Sequence, residues 1–173
     1  MFPSKLFHYC PRCGQPLGPR DDQPCFTCAA CGFRYYFNPA VAVAGLVLDA
    51  TGRGLFIRRA KDPARGKLAL PGGFIDQGET AEKAFRRELR EEVNLEVGPL
   101  SFLSSHPNEY RYADVTYPVL DLFFTAPADG PAGAIAREEV ESLSWLDPAS
   151  VALEDIAFPS MRAALRHYLA PRA

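Results

Sequence analysis

Three glutamates, Glu88, Glu91 and Glu92, lie close together in the segment RELREEVNL. On a helix, residues three and four positions apart are neighbours, and each exposed like-charge pair costs about 0.2 to 0.5 kcal/mol. Hard divalent cations offset such repulsion, and Mg²⁺ in particular is held by a few carboxylates together with water and substrate phosphates. We therefore interpret the cluster as a divalent-metal site, with a solvated acidic helix face as the simpler alternative.

The spacing of apolar residues predicts the helix that carries these acids, over residues 81–93. At about 100° per residue, one face of this helix collects the apolar side chains and the glutamates overlap its edge. The apolar residues are Ala81, Phe85, Leu89 and Val93. Before the helix, Gly72 and Gly73 follow an apolar strand, and a glycine pair lets backbone groups approach a ligand closely. Thr80 is predicted to cap the start of the helix.

The spacing of these residues resembles the Nudix box, G-x5-E-x7-R-E-U-x-E-E-x-G-U, in which U is apolar. The matching positions are Gly73, Glu79, Arg87, Glu88, Leu89, Glu91, Glu92 and Leu95. One position departs from the box, since Asn94 stands where the family has glycine. Asparagine tolerates a positive φ better than most residues, so the helix is still expected to end in the left-handed conformation at Asn94.

The resemblance implies the family's α/β/α sandwich and its chemistry, which is the hydrolysis of a nucleoside diphosphate linked to another moiety, X. It also implies Mg²⁺ or Mn²⁺ as the catalytic metal. The implied metal ligands are Glu88, Glu91 and Glu92, with a backbone carbonyl of Gly72 or Gly73 as a further ligand. Bound metal lowers the pKa of water and neutralises phosphate charge, so little besides positioning is then required of the protein.

Residues around the metal ligands receive roles from the same resemblance. Glu79 is expected to support the loop, and Arg87 is expected to orient the carboxylates. The general base varies in this family and often lies outside the box. Glu139, in REEVESLSW, resembles that external acid, Glu138 is the nearer alternative, and a solvated strand entry is equally open for both. The expected catalytic residues are Glu88, Glu91, Glu92, Arg87 and Glu139.

All five cysteines lie within residues 10–31. Two C-x-x-C pairs, each followed by glycine, are typical of a closed site in which four thiolates hold structural Zn²⁺. The pairs are Cys10 with Cys13 and Cys28 with Cys31. Cys25 and Cys28 also form a C-x-x-C, but that choice leaves Cys31 unused, so Cys25 is expected to be free. Two disulfides or a set of redox thiols are the alternatives, and the local clustering favours metal.

A four-cysteine zinc ribbon that leads through YYFNP into a Nudix domain resembles the architecture of NADH pyrophosphatases. Those enzymes carry SQPWPFPxS after the box, whereas this chain has SSHPNEYRYADVTYP and lacks the Trp and Phe. Side chains that could stack on a base or nicotinamide, or bind a phosphate, are Tyr110, Tyr112, Tyr117 and Arg111. Alternating tyrosines are also ordinary strand packing. His106 is expected to be a polar loop residue rather than a catalyst.

The other elements are predicted from apolar and β-branched runs and from turn residues. The expected strands cover 41–48, 54–59, 97–104, 116–125 and 140–146, and a second helix covers 159–170. The segment 126–134, rich in Ala, Pro and Gly, is expected to be a surface loop. Mixed strands and helices indicate an α/β fold, with a zinc ribbon over 1–38 and a Nudix hydrolase domain over 39–173.

The composition limits the partners. The chain has 173 residues, 47% of them hydrophobic, which suffices for one ordinary core and a small appendage. Its formal charge of −2 provides no overall field that attracts nucleic acid or a membrane. The sequence has neither an apolar run of about 18 residues nor a secretory signal, so we expect a soluble cytoplasmic protein.

These observations predict a metal-dependent pyrophosphohydrolase. Its expected substrate is ADP-ribose, NADH or a similar dinucleotide or nucleotide sugar. The alternative is a non-catalytic module on the same fold that senses a nucleotide or binds nucleic acid or a partner. The intact glutamates and the acidic balance disfavour it, because nucleic-acid binding normally uses a basic stripe. A homodimer formed through the zinc ribbon is compatible with either function.

Overall fold

The computed structural model describes residues 1–18, 24–130, 133–137 and 139–171. The chain divides into two compact units. The first comprises Met1–Ala40 and Glu109–Val119, and the second comprises Val41–Asn108 and Leu120–Ala173. Among the described residues, no helix combines the length and the apolar character that crossing a membrane requires.

The strands found in the described residues are β1 (Cys25–Thr27), β2 (Arg34–Tyr36), β3 (Ala40–Leu48), β4 (Gly54–Arg59), β5 (Leu68–Ala69), β6 (Gly72–Phe74), β7 (Glu96–Val97), β8 (Ser101–Tyr112), β9 (Val115–Asp129) and β10 (Val140–Leu146). The α-helices are α1 (Ala81–Val93) and α2 (Pro159–Leu169). Short 3₁₀ helices cover Pro3–Leu6, Pro148–Ser150 and Leu153–Asp155.

An eight-stranded sheet forms the frame of the fold. Its central order is β10-β4-β3-β9-β7, while β5 pairs with β4, β6 with β3, and β8 with β9. The antiparallel pairing of β6 with β3 sets Gly73 opposite Val43. The antiparallel pairing of β10 with β4 sets Val140 opposite Arg59. The loop that precedes α1 and the residue that precedes β10 are therefore both fixed by strand pairing.

The packing of α1 on the sheet depends on a glycine. Gly45 lies in β3, and a Cβ there would overlap the ring of Phe85 and the backbone carbonyl of Phe124. Phe85 instead fills this space and stacks on Phe124, with 5.9 Å between ring centroids. Other fully buried side chains of the core are Leu46, Val47, Leu55, Phe56, Ile57, Leu89, Phe123, Ile156 and Leu165. Their burial fixes α1 and α2 on the sheet.

The first unit is built around a small two-stranded sheet. Strands β1 and β2 pair antiparallel, with Cys25 opposite Tyr36. Aromatic rings pack beside this sheet, and their centroids lie 5.0 to 6.1 Å apart in the pairs formed by Phe7 with Phe26, Tyr35 and Phe37. An aromatic cluster of this kind provides a core for a segment too short to bury many aliphatic side chains.

Most of the predicted elements are confirmed. The helix over 81–93 and the strands over 54–59 and 140–146 have the predicted bounds. The strand predicted over 97–104 is confirmed over 101–104, which lie in β8, but it is not continuous, since residues 98–100 separate β7 from β8.

Two further predictions need correction. The loop predicted over 126–134 is wrong at its start, because β9 continues to Asp129, where Val97 of β7 pairs with Ala128. Residues 131 and 132 of that segment lie outside the described residues. His106 is not in a loop but in β8, and within the described residues its Nε2 is buried without a hydrogen-bond partner.

Candidate active site and metal sites

Both ends of α1 are capped as its sequence predicts. The Thr80 side chain accepts a hydrogen bond from the backbone N–H of Lys83 at 3.3 Å. At the other end, Asn94 adopts φ 52° and ψ 42°, the left-handed conformation. Its backbone N–H donates to the carbonyls of Arg90 and Leu89. The helix that carries the three glutamates is therefore closed at both ends by local hydrogen bonds.

Arg87 joins the acidic residues of the box. Its guanidinium makes two parallel hydrogen bonds to Glu79, both at 3.0 Å. It also donates to the carboxylates of Glu88 at 2.8 Å and Glu91 at 3.0 Å. A further bond of 3.0 Å reaches the backbone carbonyl of Phe74. Because the guanidinium is planar and offers five donors, one side chain fixes the loop and two carboxylates at once.

The glycine pair lets two glutamates lie against the backbone of β6. The N–H of Gly72 donates to Oε2 of Glu92 at 2.9 Å. A Cβ on Gly73 would overlap the carboxylate of Glu88. Gly72 itself has φ +143°, and a Cβ there would collide with the backbone of Val43. Neither position accommodates a larger residue without moving a glutamate or a strand.

Burial raises the pKa values of Glu88 and Glu92. Removal from solvent raises the pKa of Glu92 to about 8, although the Gly72 N–H opposes this shift. Burial likewise raises the pKa of Glu88, against the opposing effect of Arg87. Glu79 shows the reverse, because its bonds to Arg87 lower its pKa. Desolvated carboxylates such as Glu88 and Glu92 gain most from a nearby cation, which restores the lost stabilisation of their charge.

The three glutamates differ in exposure. The side chain of Glu88 is 15% exposed and that of Glu91 is 60% exposed. The oxygens of Glu88, Glu91 and Glu92 do not form a cluster within 4.8 Å of one another; in the described parts of the chain, only cysteines form such a group. The structure thus holds Glu88 and Glu92 beside the glycine loop and leaves Glu91 at the surface, bonded to Arg87. Carboxylate oxygens remain the donors that Mg²⁺ and Mn²⁺ prefer.

Glu139 lies at the entry to β10 and close to the box glutamates. Its backbone carbonyl accepts a hydrogen bond from the N–H of Ala60 at 3.1 Å. Its charge contributes to the raised pKa values of Glu88 and Glu92. Its carboxylate is exposed and forms a 3.0 Å ion pair with Lys61. Glu138, the alternative external acid, lies outside the described residues.

Two cations near the site were not anticipated from the sequence. The charge of Arg59 lowers the pKa of Glu92, and Lys61 pairs with Glu139. Both belong to the run RRAK at the end of β4. The run signals local positive charge, but only the pairing of β10 with β4 brings it to the acids.

The predicted substrate-binding residues lie on the hairpin of β8 and β9. Tyr112 and Arg111 are exposed, and Arg111 bonds Asp114 beside the turn at 3.1 Å. Tyr110 is half-buried. Tyr117 lines a cleft of about 570 Å³ within the first unit. Aromatic residues that share this lining are Phe2, Phe7, Tyr35, Tyr36 and Phe37.

The four cysteines of the two C-x-x-C pairs converge in the first unit. Their sulfur atoms all lie within 4.8 Å of one another. The separations are 3.8 Å between Cys10 and Cys31 and 3.7 Å between Cys13 and Cys28. A Zn–S bond of about 2.3 Å puts sulfurs about 3.8 Å apart in a regular tetrahedron. The cysteine cluster, meaning these four residues, therefore fits a Zn²⁺ ion, and Cys25 is outside it.

Backbone amides favour the thiolate form of Cys28 in this cluster. The N–H of Cys31 and then that of Ala30 lower the pKa of Cys28 to about 7. Gly32, after the second pair, has φ +72° and donates its N–H to the carbonyl of Cys28. Gly14 has the same role after the first pair, with φ +73° and a bond to the carbonyl of Cys10. The two C-x-x-C-G segments thus form equivalent turns, each closed by a glycine N–H bond to the carbonyl of the first cysteine.

An α/β sheet that presents an acidic helix to a glycine loop is the arrangement of a Nudix domain. The sequence matches the NUDIX domain over residues 38–168, and the chain belongs to this family. The crystal structure of a NUDIX hydrolase from Nitrosomonas europaea superposes with a TM-score of 0.67 and 25% identity. That comparison covers 94% of each chain.

Curated relatives have two kinds of name. The NAD-capped RNA hydrolase NudC of Chromobacterium violaceum is 32% identical over 146 residues, which are 83% of this chain and 52% of that protein. The ADP-ribose pyrophosphatase of Methanocaldococcus jannaschii is 46% identical over 63 residues, which are 36% of this chain and 37% of that protein. The chain thus spans about half the length of the NudC proteins it matches.

Proposed function

We propose that this chain is a metal-dependent pyrophosphohydrolase that cleaves a nucleoside diphosphate linked to another moiety, X. The observation that carries the proposal is the bonding of Arg87 to Glu79, Glu88 and Glu91 beside the Gly72–Glu92 contact. Such a connected set requires an arginine at position 87 and glutamates at positions 79, 88, 91 and 92. A solvated acidic face would need none of these bonds.

The relatives support a dinucleotide or nucleotide sugar as the substrate class. One is named an NAD-capped RNA hydrolase and another an ADP-ribose pyrophosphatase, and both names describe an adenosine diphosphate joined to a second group. The candidate substrates are ADP-ribose, NADH and an NAD-capped RNA. We propose that Tyr110, Tyr112 and Tyr117 stack on a base or nicotinamide, and that Arg111 binds a phosphate.

Glu88, Glu91 and Glu92 would hold Mg²⁺ or Mn²⁺, with the carbonyl of Gly72 or Gly73 as a further ligand. The bound metal would supply charge neutralisation at the phosphates and a lowered pKa for water. Glu88 and Glu92 are suited to this role because burial already disfavours their charged forms without a cation. Arg87 restricts the motion of Glu88 and Glu91, so their orientation is set before substrate arrives.

Glu139 would act as the general base by accepting a proton from the attacking water at its carboxylate. Its exposure keeps it accessible to solvent, and its charge contributes to the raised pKa values of Glu88 and Glu92. Its carboxylate forms a 3.0 Å ion pair with Lys61 at the surface. A positioned base of this kind contributes about 10²- to 10⁴-fold to a rate.

The cysteine cluster would bind structural Zn²⁺ in a ribbon over residues 1–38, ahead of the hydrolase domain over 39–173. We further propose a cytoplasmic protein that can form a homodimer. Sedimentation of the purified chain over a range of concentrations tests the dimer, and cell fractionation tests the location.

A substrate panel tests the catalytic proposal. ADP-ribose, NADH, an NAD-capped oligoribonucleotide and a nucleotide sugar are each incubated with Mg²⁺ or Mn²⁺, in water enriched in ¹⁸O. Mass spectrometry then identifies the products and the phosphorus that received the oxygen. We expect turnover of at least one substrate, and its loss by about 100-fold or more in Glu92→Gln and Glu139→Gln. Glu141→Gln is the matched control, because Glu141 is an exposed acid in β10.

Two outcomes would reject this function. Absence of turnover with every substrate and both metals, while ADP-ribose still binds, would favour a nucleotide-sensing module. Full activity in Glu91→Gln or Glu92→Gln would show that the box glutamates are not needed for any hydrolysis observed. Equal losses in Glu139→Gln and Glu141→Gln would remove Glu139 as the base.

A further inference from the structure

A basic pocket lies in the second unit and contains none of the box residues. Its volume is about 350 Å³, and its lining comprises Arg58, Arg65, Gly66, Lys67, Leu68 and Asp155. Three cations therefore face one carboxylate, in a chain whose net charge is −2 and whose pI is about 5.9. Positive charge is concentrated here against the balance of the whole molecule.

Main-chain carbonyls fix two of the three cations. Nη1 of Arg58 donates to the carbonyl of Gly66 at 2.5 Å. Nζ of Lys67 donates to the carbonyl of Glu154 at 3.1 Å. A carbonyl is a neutral acceptor, so these bonds orient the side chains without cancelling their charge. Arg65 is exposed and adds a third cation at the rim.

The three cations contrast with Arg87, whose charge is matched by carboxylates. Among the residues that the structure describes, no Asp or Glu oxygen lies within 4.0 Å of the charged nitrogens of Arg58, Arg65 or Lys67. Asp155 lines the pocket but forms no such ion pair in the described part of the chain. The pocket therefore has uncompensated positive charge in a concave surface, where the attraction for an anion is strongest.

The basic pocket and the box glutamates lie on opposite faces of β4. Arg58 and Arg59 are consecutive, and successive side chains of a strand point to opposite faces. Arg59 is the residue whose charge lowers the pKa of Glu92, whereas Arg58 lines the pocket. An anion bound in the pocket is thus not the diphosphate positioned by the box glutamates.

We propose that the basic pocket is a second anion site, which binds a phosphate group. A guanidinium fork and an ammonium group, both already oriented, match the several oxygens of one phosphate. Among the described residues, the lining of the pocket includes no aromatic side chain for a base, so the phosphate is the recognised part. Such a group has two sources, the backbone of a ribonucleotide chain or a small free phosphate. This site goes beyond the proposed hydrolase function and does not require it.

Binding by the full chain, with its zinc retained, tests this site in buffer without added Mg²⁺ or Mn²⁺, so that hydrolysis plays no part. The probes are a short fluorescein-labelled oligoribonucleotide, followed by anisotropy, and inorganic phosphate, followed by calorimetry. The variants are Arg65→Ala and Lys67→Ala, with Arg65→Lys as the conservative replacement. Arg166→Ala is the matched control, because Arg166 is an exposed cation on α2 outside the pocket. Thermal melting verifies that each variant is folded.

We expect each alanine variant to weaken binding about threefold to tenfold, and Arg65→Lys and Arg166→Ala to leave it nearly unchanged. If the ribonucleotide chain is the source, the slope of log K against log salt falls by about 0.7 for each contact removed. If only inorganic phosphate binding weakens, the site is a phosphate site for small anions.

The proposal is overturned if both alanine variants bind both probes like the unchanged chain. Equal weakening in Arg166→Ala would also overturn it, since that would reflect overall charge rather than the pocket. Because hydrolysis is not measured, failure of this site and failure of the proposed hydrolase function are separate results.

Discussion

The side chain of Asn94 joins the end of α1 to the segment that leads to Glu139. Its Oδ1 accepts a hydrogen bond from the guanidinium of Arg137, two residues before Glu139. Its Nδ2 donates to the carbonyl of Gly133 at 3.4 Å. Asn94 therefore uses both halves of its amide, and the glycine that the family has at this position could make neither bond.

Main-chain bonds continue the same connection. The N–H of Ile135 donates to the carbonyl of Val93 at 2.9 Å, and that of Arg137 to the carbonyl of Glu92 at 3.0 Å. These carbonyls belong to the last turn of α1, where no helical partner remains for them. Together with the amide of Asn94, they hold the residues before Glu139 on the helix end.

Asn94→Gly tests whether this attachment serves the reaction. Glycine keeps the left-handed helix end but removes both side-chain bonds. We expect thermal stability to change by less than about 1 kcal/mol, while kcat falls by about threefold to tenfold. Steady-state kinetics and melting curves provide the two measurements. An unchanged kcat in Asn94→Gly would reduce the role of Asn94 to ending the helix.

Gly73→Ala is expected to impair metal binding more than folding. The added methyl group would overlap the carboxylate of Glu88, so that this side chain must leave the glycine loop. We predict a rise of about 10- to 100-fold in the Mn²⁺ concentration needed for half-maximal activity. Gly18→Ala is the control, because a Cβ on Gly18 meets no atom of the described residues within 4 Å. Similar metal affinity in both variants would contradict the prediction.

The sequence predicts the bounds, caps and buried face of α1 well, because these features depend on residues close together in the chain. Thr80 and Asn94 are capping residues by type, and the apolar face follows from periodicity. The cysteine cluster is predictable for the same reason, since ligand spacing and glycine turns are short-range features.

Long-range pairing accounts for what the sequence did not predict. The ion pair of Lys61 with Glu139 joins residues 78 positions apart. It depends on the register of β10 against β4, which no local pattern specifies. The two-residue strand β7 was missed because it is shorter than any periodic signal, and its pairing extends β9 into the segment predicted as a loop.

Arg87→Lys is predicted to slow the reaction despite retaining its charge. An ammonium group cannot make the paired bonds to Glu79 while also reaching Glu88 and Glu91. We expect kcat to fall by about 10- to 100-fold, with a smaller change in KM. Arg86→Lys is the comparison, because Arg86 bonds the carbonyls of Val97 and Gly98 and, in the described part of the chain, no carboxylate. Equal losses in both variants would indicate a general effect on α1.

Asp121 is expected to make stability depend on pH. It is 7% exposed, and burial raises its pKa, against the opposing bonds from Ser160 and Asn108. A carboxyl whose folded pKa is raised is ionised more readily in the unfolded chain, so the free energy of unfolding falls as pH rises above about 3.8, the ordinary value.

Two variants at this position should act in opposite directions. Asp121→Asn removes the titration and is expected to flatten the fall in stability above that pH. Ser160→Ala removes the 2.5 Å bond that favours the ionised form, and is expected to steepen the fall. Denaturant melts across a pH series measure both slopes. Parallel pH profiles for the two variants would exclude Asp121 as the group responsible.

The five cysteines allow a matched test of the zinc prediction. Cys28→Ser removes one of four converging sulfurs, whereas Cys25→Ser alters a cysteine outside the cluster. We expect about one Zn²⁺ per chain in the unchanged protein and in Cys25→Ser, and a loss of most of it in Cys28→Ser, as elemental analysis would measure. Chelation should lower the melting temperature of the first two proteins and have little effect on Cys28→Ser. Retention of full zinc in Cys28→Ser, or loss in Cys25→Ser, would show that a different set of thiols binds the metal.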